Sequence, residues 1–181
     1  MIRQFWFITG FTLILAVMCW AEPEKEIFVG FQGKPQRVTY NLYVPLNSDG
    51  KHLPVLVCVG GLPMDGDKYL QSDTRECMDE NFKRFADENG IAILGLGFLF
   101  IAEDWETKTS YQYPKAWSGQ ALLEVLKVLA KDSPIDPEEL YLFGISAGSQ
   151  FSIRFAQMRP DISKAVASHA AGNGQRIQAA G

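Results

Sequence analysis

Residues 140–148 read Leu-Tyr-Leu-Phe-Gly-Ile-Ser-Ala-Gly, and no other stretch restricts the fold so strongly. An apolar run of strand type ends at Gly144, Ser146 follows, and a helix-compatible stretch opens at Ala147. This is a G-x-S-x-G sequence in a strand–turn–helix setting. So sharp a turn forces Ser146 into a strained backbone region, and a Cβ at position 144 or 148 would crowd the neighbouring strand and helix. The serine hydroxyl is then left at the carboxyl end of a strand, beside a helix N-terminus whose partial positive charge favours a developing oxyanion.

The chain around this turn is long enough, at 181 residues, for one domain with a real core. Its 47% apolar and 21% charged residues are ordinary globular values. A net charge of −4 with no basic cluster argues against nucleic acid as a partner. There is no internal repeat and no low-complexity tract.

The amino terminus reads as a targeting segment. Arg3 precedes an uncharged, mostly apolar run from Phe5 to Met18, and Cys19-Trp20-Ala21 offers small residues where a signal peptidase reads them. Residues 1–21 are expected to be a signal peptide, which implies a secreted or periplasmic protein that meets a membrane only through this segment. The competing reading is an uncleaved anchor, for which the run to Ala21 sits at the short end of the ~17–25 residues needed. A lipidated Cys19 is disfavoured by Met18 just before it. Of the remaining cysteines, Cys58 lies in a strand pattern and Cys77 in a polar helical one. An exported location permits a disulfide between them, but their patterns favour two free, partly buried thiols. With no histidines nearby they make no zinc site.

Hydrophobic periodicity places the elements. Residues 37–44 alternate as a strand through Val38, Tyr40, Leu42 and Val44. Leu53 to Val59 is a continuous valine-rich run, hence a buried strand, closed by Gly60-Gly61-Leu62-Pro63. Residues 74–89 are expected to be helical, with Met78, Phe82 and Phe85 on one stripe and Asn89-Gly90 as the cap. Residues 91–98 form another strand. Residues 120–131 form a helix turning Leu122, Leu126 and Leu129 inward. The helix after the elbow runs from Ala147 to Met158 and buries Phe151, Phe155 and Met158, and residues 164–171 make a last strand. Strands alternating with helices imply βαβ units and a parallel sheet covered on both faces, with ligands beyond the strand carboxyl ends. Ser146 and Gly60-Gly61 both fall on that edge.

Taken together, residues 37–172 resemble the first two-thirds of an α/β-hydrolase domain. The likeness is greatest to the secreted esterase branch that includes polyhydroxyalkanoate depolymerases and feruloyl esterases. It is carried by Ile135-Asp136-Pro137 leading into the elbow, by Arg159-Pro160-Asp161, and by the alanine-rich strand that ends in Gly172. The resemblance implies an α/β-hydrolase fold: a mostly parallel sheet with helices on both faces, lacking its C-terminal strands. Residues 22–36 are then a lead-in and 37–181 a partial domain. It further implies that Ser146 is an acyl-accepting nucleophile toward small-molecule or polymeric carboxylic esters, with no metal or organic cofactor. The backbone N–H of Ala147 would be one oxyanion donor and that of Gly61, or else Leu62, the second. Val59 stands where such proteins often carry histidine, which leaves the register of the second donor open. A serine peptidase of the same fold and a non-catalytic binding module are the alternatives.

The resemblance also implies a triad acid and histidine after the nucleophile. Beyond Ser146 the chain holds one acid, Asp161, and one histidine, His169. Asp161 falls between helix and strand on the opposite sheet edge, about 17 Å away across a five-residue strand. His169 falls near the carboxyl end of the last strand, where it can line the crevice; His52 precedes its strand on the wrong edge. A serine hydroxyl without a base is a weak nucleophile. The chain is therefore read as a piece of a longer enzyme or, failing that, as an incomplete relative, with its last strand an open edge.

The connection from Phe98 to Trp117 is rich in aromatics. Trp105 and Tyr113 are candidates for the wall of an apolar pocket, against the alternative that the loop aromatics pack onto the body. Asp65-Gly66-Asp67 lacks the further ligands of a calcium loop, Gly50-Lys51-His52 lacks the context of a phosphate loop, and Gly95-Leu96-Gly97 opens no helix.

Overall fold

The computed structural model describes residues 25–31, 34–46, 48, 51–62, 69–72, 74–101 and 107–171. The expected signal segment, Trp105 and the Asp65-Gly66-Asp67 turn lie outside the described residues. The elements follow the order β1 (Lys25–Phe31), β2 (Lys34–Tyr43), β3 (Leu53–Val59), β4 (Tyr69–Gln71), α1 (Glu80–Asn89), β5 (Ala92–Ile101), α2 (Ser118–Asp132), β6 (Ile135–Ile145), α3 (Ala147–Met158) and β7 (Ser163–His169).

The main sheet runs β1-β2-β5-β3-β6-β7. β1, β2 and β5 pair antiparallel, whereas β5, β3, β6 and β7 pair parallel. Short β4 pairs antiparallel with the outer end of β5. The sheet is thus mixed and mostly parallel, as βαβ succession requires.

Period-two alternation divides the core between the two faces of the sheet. On one face Val55, Val57, Val59, Leu140 and Leu142 meet Ala121, Leu122, Val125 and Leu126 of α2 and Phe151 and Phe155 of α3, all fully or almost fully buried. On the other, Leu56, Cys58, Tyr141 and Phe143 meet Ala86 and Phe82 of α1. Each large apolar side chain so buried contributes about 1.5–3 kcal/mol. The first face lies under two helices. The second has one helix: Phe85 remains 46% exposed, and an apolar trough of about 410 Å³ runs between α1 and β7. That trough is lined at the far end by Pro54, Asn89 and Ile91 and does not border Ser146.

Three expectations need correction. Residues 22–36 are not merely a lead-in: β1 occupies Lys25–Phe31 and pairs in a hairpin with β2, anchored by an Arg37–Glu26 ion pair. The helix expected over 74–89 begins only at Glu80. Asp79 caps it, accepting the N–H groups of Asn81 and Phe82 at 2.8 and 3.1 Å, and Cys77 just before is held in the left-handed region at φ 62°. Residues 74–77 instead form turns. Finally, Cys58 and Cys77 are not free thiols but a disulfide. Each cysteine faces the α1 side of the sheet, and the turn at 74–77 lies directly over β5, where a Cβ on Gly95 would sit 1.9 Å from the Thr74 carbonyl oxygen.

Candidate active site

Strand β6 delivers the chain to Ile145, and α3 begins at Ala147. Ser146 between them adopts φ 53°, ψ −114°, one of three non-glycine residues with positive φ among those described. Such a conformation costs about 1–3 kcal/mol and persists only where its surroundings impose it. Here the imposition is steric. A Cβ on Gly144 would stand 2.3 Å from the Gly148 carbonyl oxygen, and one on Gly148 would stand 2.0 Å from that of Val59. Strand and helix therefore approach more closely than any side chain allows, and the reversal at Ser146 follows. The hydroxyl-bearing side chain is exposed.

Hydrogen bonds fasten the turn to its neighbour. The Ser146 N–H donates to the carbonyl of His169 at 2.8 Å, so it is spent on the sheet. The Ser146 carbonyl accepts the N–H groups of Ser149 and Gln150 at 3.1 and 3.4 Å, which starts the helix. Ser149, fully buried, places its Oγ 2.5 Å from the Gly144 carbonyl oxygen and 2.7 Å from that of His169. The same oxygen accepts the His169 N–H at 3.0 Å. Nothing in the serine's sequence context announced this bridge between β6, α3 and β7.

Gly61 lies against the nucleophile. A Cβ there would be 3.2 Å from Ser146 Cβ and 3.9 Å from its Oγ. Among the described residues no backbone carbonyl is seen to accept the N–H of Gly61 or of Ala147. Leu62, half-buried, packs onto the cluster shared with α2 and α3. The preceding residue is held from beneath: the Tyr111 hydroxyl donates to the Gly60 carbonyl at 3.2 Å. Tyr111 is fully buried, and burial pushes its phenol far above the usual tyrosine range, so it remains a donor throughout ordinary pH. The sequence carried no signal for this contact, which joins residues 51 positions apart.

The remaining candidates are placed as follows. His169 ends β7 opposite Ile145, with an exposed side chain, while its backbone serves the bonds above. Tyr113 lies under the guanidinium of Arg154, 4.1 Å from the ring centroid. That arginine is two turns, about 12 Å, along α3 from Ser146. Tyr113 thus packs the 107–117 segment onto α3. Trp117 likewise turns inward, donating its Nε1–H to the Thr109 carbonyl at 2.8 Å. Asp161 is exposed on the opposite edge and paired with Arg159 at 2.6 Å; the guanidinium holds its carboxyl below the usual carboxylate range. His52 is also on that edge, its Nδ1 3.2 Å from the Ile135 carbonyl oxygen. Among the described residues no acid–histidine pair adjoins Ser146, and no group of three metal-ligating side chains forms.

Chemically, the arrangement offers one exposed serine hydroxyl, beside a helix N-terminus and with the Gly61 backbone against it. That combination suits attack on a carbonyl whose oxygen gathers charge as the tetrahedral intermediate forms.

No family model matches the sequence, and no curated protein matches it. Solved structures do. The chain is similar to an S-formylglutathione hydrolase from Agrobacterium tumefaciens at 14% identity and TM-score 0.55, over 80% of this chain and 56% of that one. It is similar to the S-formylglutathione hydrolase of Staphylococcus aureus at 20% identity and TM-score 0.51, over the same shares. An acetyl xylan esterase from Aspergillus awamori matches at 14% identity and TM-score 0.53, over 71% of this chain and 45% of that one. The chain spans about half the length of these structures. With the strand order, the crossovers and the strained serine turn on the same edge as the double glycine, they establish that this chain has the α/β-hydrolase fold.

Proposed function

We infer that this chain is the nucleophile-bearing part of an exported serine hydrolase acting on carboxylic esters. The observation that carries the reading is Ser146: exposed, held at positive φ, and with Gly61 packed against it. In the proposed reaction the Ser146 Oγ bonds to the ester carbon, and the carbonyl electron pair moves onto oxygen, where the Gly61 and Ala147 amides hold it. Collapse breaks the bond to the alcohol, which leaves with the serine proton, and water then releases the acid. In this reading Leu62 and His169 border the ester. In this fold the acid and histidine follow the nucleophile; of this chain's two histidines, His52 is on the opposite edge and His169 ends β7 opposite Ile145. A buried disulfide supports an oxidising compartment, and with it export under the N-terminal segment.

A second reading, a crevice kept for binding without turnover, is favoured by the lack of an acid–histidine pair beside Ser146 among the described residues. A fluorophosphonate probe separates the two. Phosphonylation mapped to Ser146 and abolished by Ser146→Ala supports the hydrolase. Ester binding by calorimetry with no adduct at Ser146 supports the binding module instead.

A further inference from the structure

We propose that Tyr111 is a latch for the oxyanion site: its hydroxyl, by holding the Gly60 carbonyl, fixes the direction of the Gly61 N–H beside Ser146. The latch follows from peptide geometry and rests on the hydrolase reading above. In a trans peptide the C=O and the following N–H point in opposite directions from one rigid plane. Fixing the oxygen of Gly60 therefore aims the amide of Gly61. The oxygen is fixed twice. The Tyr111 hydroxyl donates to it at 3.2 Å, and it lies so close over α3 that a Cβ on Gly148 would be 2.8 Å away. The amide at the other end of the plane belongs to the residue in contact with Ser146 and meets no backbone acceptor among the described residues.

Two glycines in succession leave this peptide free to rotate, since neither residue restricts its own φ and ψ. A donor for the oxygen is what selects one orientation. Tyr111 is itself immobilised to serve as that donor. Its ring lies 5.3 Å from Phe98 and 5.2 Å from Phe100, centroid to centroid, and its carbonyl accepts the Ser118 hydroxyl at 2.6 Å. The aromatic segment 107–117 thereby acts on the reaction as a positioning element, through Tyr111.

The test is Tyr111→Phe in the full chain, which keeps the ring and removes the hydroxyl. The rate constant for phosphonylation of Ser146 by a fluorophosphonate is expected to fall about tenfold, with the half-saturating probe concentration unchanged. A crystal structure of the variant is expected to show the Gly60–Gly61 peptide turned or in two orientations. Leu129→Ala is the control. It removes a buried side chain near the far end of α2 and leaves Tyr111 and its neighbours intact, so it is expected to lower the melting temperature and leave the phosphonylation rate intact. Equal rates in Tyr111→Phe and wild type, or an unmoved peptide in the variant structure, overturn the latch. So does an equal loss of rate in Leu129→Ala, which assigns the effect to general destabilisation. Failure of the unaltered chain to react at Ser146 overturns the hydrolase reading instead, and the peptide's orientation in Tyr111→Phe still decides the latch.

Discussion

Reducing the Cys58–Cys77 bond should destabilise the fold by an amount that the structure allows one to work out. The bond joins residues 19 apart. Closing a loop of that length removes denatured-state entropy equivalent to about 3 kcal/mol at 25 °C. Against this, Cys77 is held at φ 62°, where a non-glycine residue loses about 1–2 kcal/mol, and reduction lets it relax. The net expectation is a loss of about 2 kcal/mol, or about 4–8 °C in melting temperature for a domain of this size. Because the cysteines are 0% and 4% exposed, reductant must reach them through an opened state. The protein is therefore unfolded, reduced, and refolded with reductant before its thermal transition is compared with that of the oxidised form by circular dichroism. Thiol titration in denaturant without reductant should find neither Cys58 nor Cys77 reactive. Two reactive thiols there, or coincident transitions for the two forms, would refute the reasoning.

Other perturbations address the elbow and the opposite edge. Gly148→Ala places a Cβ 2.0 Å from the Val59 carbonyl oxygen, backbone against backbone, so α3 must move off β3. A loss of about 3 kcal/mol is expected, seen as a lower urea midpoint with an unchanged slope, and a midpoint equal to wild type contradicts the packing described. Asp161 has its carboxyl pKa lowered by Arg159, so its contribution to stability is complete above the unfolded-state carboxylate value and is lost as pH falls through the folded one. Melting temperatures of wild type and Asp161→Asn should accordingly converge on acidification, and a gap that widens in acid reverses the sign of this account.

What the sequence reveals and what it hides divide along local and distant causes. The elbow is legible because its glycines act on neighbours four residues apart, and β3 is legible because a strand buried on both faces must be apolar throughout. α3 is bounded as expected, from Ala147 to Met158, since its start is forced by the same turn. The start of α1 is misjudged because the Met78–Phe82–Phe85 stripe extends backward on paper through residues that Asp79 and the Cys77 turn remove from the helix. β1 is missed because its partner β2, not its own alternation, makes it a strand. Tyr111, Ser149 and the disulfide owe their roles to contacts across the sheet, and no spacing in the chain encodes them. Tyr113, by contrast, is conspicuous in sequence and engaged in packing.

The account stands on Ser146 and two amides acting as one site, and the structure of the phosphonate adduct tests that most directly. Covalent attachment at Ser146 Oγ, with the phosphoryl oxygen about 2.7–3.1 Å from both the Gly61 and Ala147 nitrogens, is the result expected. An adduct whose phosphoryl oxygen points to solvent, away from both amides, or one formed on another residue, contradicts it.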